Sequence, residues 1–240
     1  MRAVADALEV LTTEQWRLDT ECTGWTVRDM AAHLLGAQED LLSVATVLWR
    51  RERGRRRHPH LSLLDAANEV QIQDHAGLSS GALWQNYRAN IAKVAKRVGS
   101  FPSFLAGIPV DATMAPGNAP LRLGYLFNVI YLRDAWMHGM DLARATGAPR
   151  IATVLDAAVM AQIMRDAATA WGEGPAVELE LTGEVASSWQ LGQGVPEARL
   201  RTDGLELCRS LSGRIPVTDI STVSGNPQLA NSLGELRIVF

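Results

Sequence analysis

Gly24-Trp-Thr-Val-Arg-Asp-Met30 reads as the start of a helix. Thr26 is a candidate N-cap, and Asp29, three residues on, can answer it in a capping box. Trp25 precedes the cap and is placed to pack on Met30 as a hydrophobic staple. Beyond it, Met30, Leu34, Ala37, Leu41, Val44 and Leu48 recur in steps of four and three, the period of a bundle helix buried along one side. His33 sits beside that stripe, so it is expected to point at least partly inward.

The same reasoning extends along the chain. Ser62 with Asp65 suggests another cap, and Leu83, Tyr87, Ile91, Val94 and Val98 outline a further amphipathic helix. A long helix is predicted from about Leu121 to Thr146, with Gly147 as C-cap and Pro149 just beyond. Thr153 and Asp156 cap the next helix, which ends near Gly172. Arg50–His60 and Pro102–Pro120 read as loops. The pattern changes at Gly172-Glu-Gly-Pro175. Val177-Glu-Leu-Glu-Leu-Thr182 alternates in strand period, and Ser188–Leu191, Ala198–Arg201 and Leu236–Phe240 are shorter strand candidates. Helices are expected over Asp203–Ser212 and Pro227–Leu233. The fold class is therefore mainly α: a helical bundle over residues 1–172, then a small α/β domain over 175–240.

Composition narrows the function classes. The 240 residues are 47% hydrophobic and 20% charged, with a net charge of −3, as in an ordinary globular protein. Six arginines lie between Arg50 and Arg57, but the overall charge and the lack of interleaved aromatics argue for a solvated surface loop over a nucleic-acid site. No apolar run approaches the roughly 20 residues that span a bilayer. Cys22 and Cys208 cannot build a disulfide scaffold or a cysteine-rich zinc site. The N-terminus carries an acid early and lacks a signal-like apolar stretch. Together these point to a cytoplasmic protein without nucleic-acid or membrane partners.

The chemistry concentrates in Tyr131-Leu-Arg-Asp-Ala-Trp-Met-His-Gly-Met-Asp141. Asp134 and His138 are four apart and so share a helix face. With His33 from the earlier helix they form a candidate metal set, and three protein ligands leave a coordination position open, as in catalytic zinc sites. The bland alternative pairs Asp134 with Arg133 and leaves His138 as a hydrogen-bonded core residue. Asp141 shares the face of His138. It could orient that histidine, act as a general base, or simply pair with Arg144 on the surface. His75 is a spare ligand candidate, more readily read as an exposed histidine near a helix end. Neither cysteine has a histidine close in sequence, and nothing marks either as a nucleophile.

Cys22-Thr-Gly-Trp-Thr-Val-Arg-Asp-Met-Ala-Ala-His-Leu34 resembles the opening signature of the mycothiol-dependent maleylpyruvate isomerase family. Arg133-Asp-Ala-Trp-Met-His-Gly-Met-Asp-Leu-Ala-Arg-Ala-Thr-Gly147 is similar to its second signature, and Leu200–Arg214 to part of its tail domain. The resemblance implies a DinB-like four-helix bundle binding one divalent metal, usually zinc, and a small α/β C-terminal domain. It implies His33, Asp134 and His138 as ligands, with mycothiol or a similar low-molecular-weight thiol as cosubstrate. The isomerase pattern has Glu where this chain has Asp134, one methylene shorter.

The activity so implied is metal-activated attack of a small thiol on a small electrophile, by isomerisation or S-transfer. Arg201 or Arg214 is a candidate for binding substrate carboxylates, Arg214 having the alternative of answering a helix dipole. Two other readings stay open: a metal-dependent hydrolase of a small molecule, and a non-enzymatic binding bundle with a vestigial site. A homodimer is compatible with all three.

Overall fold

A computed structural model describes residues 1–111, 121–216 and 219–240. Part of the expected loop over Pro102–Pro120 lies outside these residues. The chain divides into two compact units. One comprises Met1–Gly107 with Gly124–Ala152, the other Ile108–Leu123 with Thr153–Phe240.

The first unit contains α1 (Arg2–Glu9), α2 (Val27–Leu42), α3 (Val44–Arg57), α4 (Leu63–Asp74), α5 (Ser80–Gly99) and α7 (Tyr131–Thr146). A short α6 (Leu123–Tyr125) and a π-helical turn over Leu126–Ile130 lead into α7. The centre of this unit is α2, which packs against α4, α5 and α7. Its start is the expected capping box. Thr26 Oγ1 accepts from Asp29 N, and Thr26 N donates to Asp29 Oδ2 at 3.1 Å. Met30 and Leu34 join Val4, Leu8, Trp16, Tyr87 and Leu142 in one buried cluster, and Trp25 packs on it as the staple requires. Truncating a buried leucine such as Leu34 to alanine costs about 2–5 kcal/mol, so this cluster holds α1, α2, α5 and α7 together.

The stripe does not run on as expected. Ser43 adopts an extended conformation and caps α3 by accepting from Thr46 N, so the chain turns there. Val44 and Leu48 end up exposed. The arginine run is likewise no loop: α3 extends through Arg57. Its Arg50 is buried, and Gly54 lets the α4 backbone come close, since a Cβ there would lie 2.6 Å from Ala66 O. Helix α7 ends at Gly147 in the left-handed conformation, as its glycine predicts.

The second unit holds α8 (Asp156–Trp171), a four-stranded sheet, α9 (Gly204–Leu211) and α10 (Gln228–Glu235). It also holds a short antiparallel pair, β1 (Pro109–Asp111) with β2 (Leu121–Arg122). The sheet comprises β3 (Val177–Thr182), β4 (Ser187–Leu191), β5 (Ala198–Asp203) and β6 (Ser221–Gly225), in the order β4-β3-β5-β6. The β3–β5 pair is parallel and the other two pairs are antiparallel. Strand β6 was not legible in Ser-Thr-Val-Ser-Gly, an edge segment with little apolar periodicity. The expected strand over Leu236–Phe240 is irregular instead. The units also divide earlier than residue 172. Helix α8 belongs with the sheet because its buried Val159, Met160 and Ile163 give it an apolar face, and it packs on β4 and α9. The mainly-α class with a small C-terminal sheet holds.

Candidate metal centre

Helix α2 supplies His33 and α7 supplies Asp134, His138 and Asp141, all within the first unit. The four-residue spacing on α7 puts Asp134 one turn before His138, and the packing of α2 on α7 brings His33 to the same carboxylate. His33 Nε2 lies 3.4 Å from Asp134 Oδ2, and His138 Nε2 lies 3.2 Å from Asp134 Oδ1. One ligand atom from each of the three side chains falls within 4.8 Å of the others. With metal bonds of 2.0–2.2 Å, ligand atoms around a tetrahedral zinc sit about 3.4 Å apart. Both separations from Asp134 are close to that edge. The shorter side chain of Asp therefore reaches both imidazoles.

The second nitrogen of each ring is also accounted for. His138 Nδ1 donates to Asp141 Oδ2 at 2.8 Å, and His33 Nδ1 lies 2.7 Å from Gln71 Oε1. An imidazole whose Nδ1 proton is held by an acceptor presents its Nε2 lone pair for ligation. Asp141 is fully buried, so it is not a surface partner for Arg144, which bonds to Glu21 instead.

Charge reinforces the pairing. Burial opposes the ionised form of Asp134, but the two imidazoles outweigh it and hold its carboxyl well below the usual range. Burial likewise opposes a charged His138, and Asp134 and Asp141 outweigh it, raising that imidazole well above its ordinary value. Burial, with the Asp134 charge, pushes the Tyr87 hydroxyl up.

Three neighbours were not marked by the sequence as part of this site. Cys22 Sγ lies 3.6 Å from Asp141 Oδ2 and 3.8 Å from His138 Nδ1, although a long stretch of chain separates it from both. The Trp25 ring stands 4.9 Å from His33 and 6.2 Å from His138 between centroids, and its Nε1 donates to Glu69. Gln71 is a glutamine on α4, and no spacing marks it as a partner of His33.

His75 is buried rather than exposed. It donates from Nδ1 to Gln71 O at 2.7 Å and from Nε2 to Glu39 Oε1 at 3.1 Å, so both nitrogens are committed to this contact and not to the His33 group. Arg201 pairs with Glu180 across the sheet at 2.9 Å. Arg214 lies in the second unit just past α9, its backbone N–H donating to Arg209 O.

Among the described residues, no helix is long and apolar enough to cross a membrane. No curated protein matches the sequence. A crystal structure of the mycothiol-dependent maleylpyruvate isomerase is similar over 94% of this chain and 89% of its own, with a TM-score of 0.56 and 16% identity. A histidine-to-alanine mutant of that enzyme matches over the same shares, with a TM-score of 0.56 and 14% identity. At such identities the likeness speaks for the fold. The family is carried by residues 1–143, which match the model of the mycothiol maleylpyruvate isomerase N-terminal domain, and this chain belongs to that family.

Proposed function

We propose that this chain is a thiol-dependent enzyme whose bundle holds one divalent cation on His33, Asp134 and His138 and acts on a small electrophile. One observation carries the reading. Both imidazoles have Nδ1 within hydrogen-bond distance of an acceptor oxygen, on Gln71 and on Asp141, and both turn Nε2 onto one carboxylate. Two imidazole nitrogens and a carboxylate oxygen are good zinc ligands, and would also accept iron, cobalt, nickel or manganese; three protein ligands leave a position open. When bound, the cation would hold a small thiol as its thiolate, because ligation lowers the pKa of a coordinated thiol.

The chain's own residues do the rest. Asp134 neutralises part of the charge and ties α2 to α7 through the two histidines. Asp141, fully buried and bonded to His138, orients that ring; this role fits it better than that of a general base, since its carboxylate already holds the Nδ1 proton. Trp25 stands against both rings and packs on that side of them. Arg214, in the second unit, is kept as a candidate carboxylate-binding residue, since a guanidinium can hold a carboxylate through two parallel hydrogen bonds. The structural relatives support the thiol as mycothiol or a close analogue and the reaction as isomerisation, with S-transfer as a neighbouring chemistry that starts from the same thiolate.

The test is elemental analysis of untagged protein beside His138→Ala, followed by turnover of electrophiles with and without added thiol. About one equivalent of a divalent metal in wild type, lost in the variant, with turnover that requires thiol, is the expected result. Turnover that needs the metal but no thiol would replace the reading with hydrolysis. No metal in either protein after incubation with zinc would leave a binding bundle.

A further inference from the structure

Behind the candidate ligand His33 lies a buried polar chain that leads away from the site. His33 Nδ1 meets Gln71 Oε1 at 2.7 Å, Gln71 Nε2 donates to Asp40 Oδ2 at 2.7 Å, and Arg50 Nη1 donates to Asp40 Oδ1 at 2.7 Å. Arg50 also binds Gly36 O, Glu39 and Asp74. His33, Gln71, Asp40 and Arg50 are each at most 5% exposed, so water does not substitute for any of these bonds.

The direction of each bond follows from chemistry. A guanidinium only donates, and an ionised carboxylate only accepts. Arg50 therefore presents donors to Asp40, and Asp40 demands a donor from Gln71. The amide must turn its NH2 to Asp40 and its carbonyl to His33. A carbonyl only accepts, so His33 must carry its proton on Nδ1. Nε2, which faces the Asp134 carboxylate, is then the nitrogen that a cation can take. An isolated neutral histidine has either tautomer open to it.

The backbone is built for this contact. Gly36 lies three residues after His33 on α2, and a Cβ there would stand 2.5 Å from Gln71 Cβ. The missing side chain lets α4 approach closely enough for Gln71 to reach the ring.

We propose that Gln71 is a positioning residue for His33, its amide oriented by Asp40 and Arg50, so that a relay ending at Arg50 sets the tautomer that leaves Nε2 open for a cation. This rests on the metal reading above. The two are separable because the tautomer can be read without metal.

The experiment measures zinc affinity by chelator competition for wild type, Gln71→Leu, Asp40→Ala and the double variant Gln71→Glu/Asp40→Asn, with melting curves to confirm folding. It also records ring-nitrogen NMR of His33 in the metal-free proteins, at a pH where the ring is neutral. Gln71→Leu removes the acceptor at similar volume and is expected to weaken zinc by about 10–100-fold. Gln71→Glu combined with Asp40→Asn keeps an acceptor for His33 and gives the new carboxylate an amide donor in place of the Asp40 charge, and it is expected to restore most of that affinity. Asp40→Ala frees the amide to turn over and should fall between Gln71→Leu and wild type. Wild-type His33 should carry its proton on Nδ1, and Gln71→Leu should show a mixture of tautomers.

Equal affinity in wild type and Gln71→Leu would overturn the proposal. So would equal losses in Gln71→Leu and the double variant in folded proteins, which would mean that Gln71 only packs. Asp40→Ala behaving as wild type would overturn the relay beyond Gln71. Wild type that takes up no zinc, yet shows an Nδ1 proton that Gln71→Leu releases, would sink the metal reading and leave the relay standing.

Discussion

His33 Nε2 lies 3.4 Å from the Asp134 carboxylate, joining α2 to α7. The other oxygen of that carboxylate meets His138 at 3.2 Å, so a single acid serves two imidazoles. Removing its charge should therefore cost more than removing an ordinary buried hydrogen bond. In Asp134→Asn the affinity for zinc is expected to fall at least about 100-fold, whereas Asp134→Glu, which keeps the charge, should stay within about tenfold of wild type. Chelator competition on the three proteins checks this. Retained affinity in Asp134→Asn would remove Asp134 from the ligand set.

Asp141 acts on the other face of His138. Asp141→Ala takes away the acceptor of the Nδ1 proton and leaves Cys22 without its carboxylate contact. A loss of about 10–100-fold in metal affinity is expected, with the ligand set intact. If affinity is unchanged while turnover vanishes, Asp141 acts on substrate and not on His138.

His75 gives the protein a pH-dependent increment of stability. Burial opposes its charge, but Glu39 and the Gln71 carbonyl outweigh it and raise its pKa above the ordinary value. A histidine whose folded pKa is raised contributes fully below its unfolded value of about 6.5, and the contribution is lost as pH rises through the folded value. At the acid end Glu39 remains ionised below its usual range: burial opposes its charge, but His75 and Arg50 outweigh it. Urea unfolding of wild type and His75→Gln should differ by about 1–3 kcal/mol near pH 6. The gap should close as the solution becomes alkaline. A gap that widens with pH would show that His75 is neutral in the fold.

Gly36 sets the spacing of α2 and α4. In Gly36→Ala the new methyl meets Gln71 Cβ and Cγ, and Gln71 cannot leave without breaking bonds to both His33 and Asp40. A stability loss of about 1–3 kcal/mol is expected, as for overpacking elsewhere, with weaker zinc binding in the folded fraction. Alanine normally favours a helix over glycine by about 1 kcal/mol, so a stabilised variant with intact zinc affinity would show that the helices separate freely.

Much of the bundle was legible because its signals are local. The cap at Thr26, the stripe Met30–Leu41, the cap at Ser62 and the stop at Gly147 each depend on residues within a turn or two. The reading failed where one residue overrode the period. Ser43 breaks the stripe because its extended backbone and side chain start a new helix. The arginine run looked solvated because charge in sequence says nothing of partners. Arg50 is buried since Glu39, Asp40 and Asp74 converge on it from α2 and α4.

The residues themselves determined that Asp134 and His138 share a helix face, since a spacing of four admits no other arrangement on a helix. They also marked His33 as turned toward the core, through its place beside an apolar stripe. Only the tertiary structure decided that these three meet, that Gln71 and Asp141 place oxygens against the two Nδ1 atoms, and that Cys22 stands beside Asp141. Local spacing fixes direction along one helix. Convergence between helices depends on how closely they pack, and at the Gln71 contact the missing Cβ of Gly36 is what lets α4 approach α2.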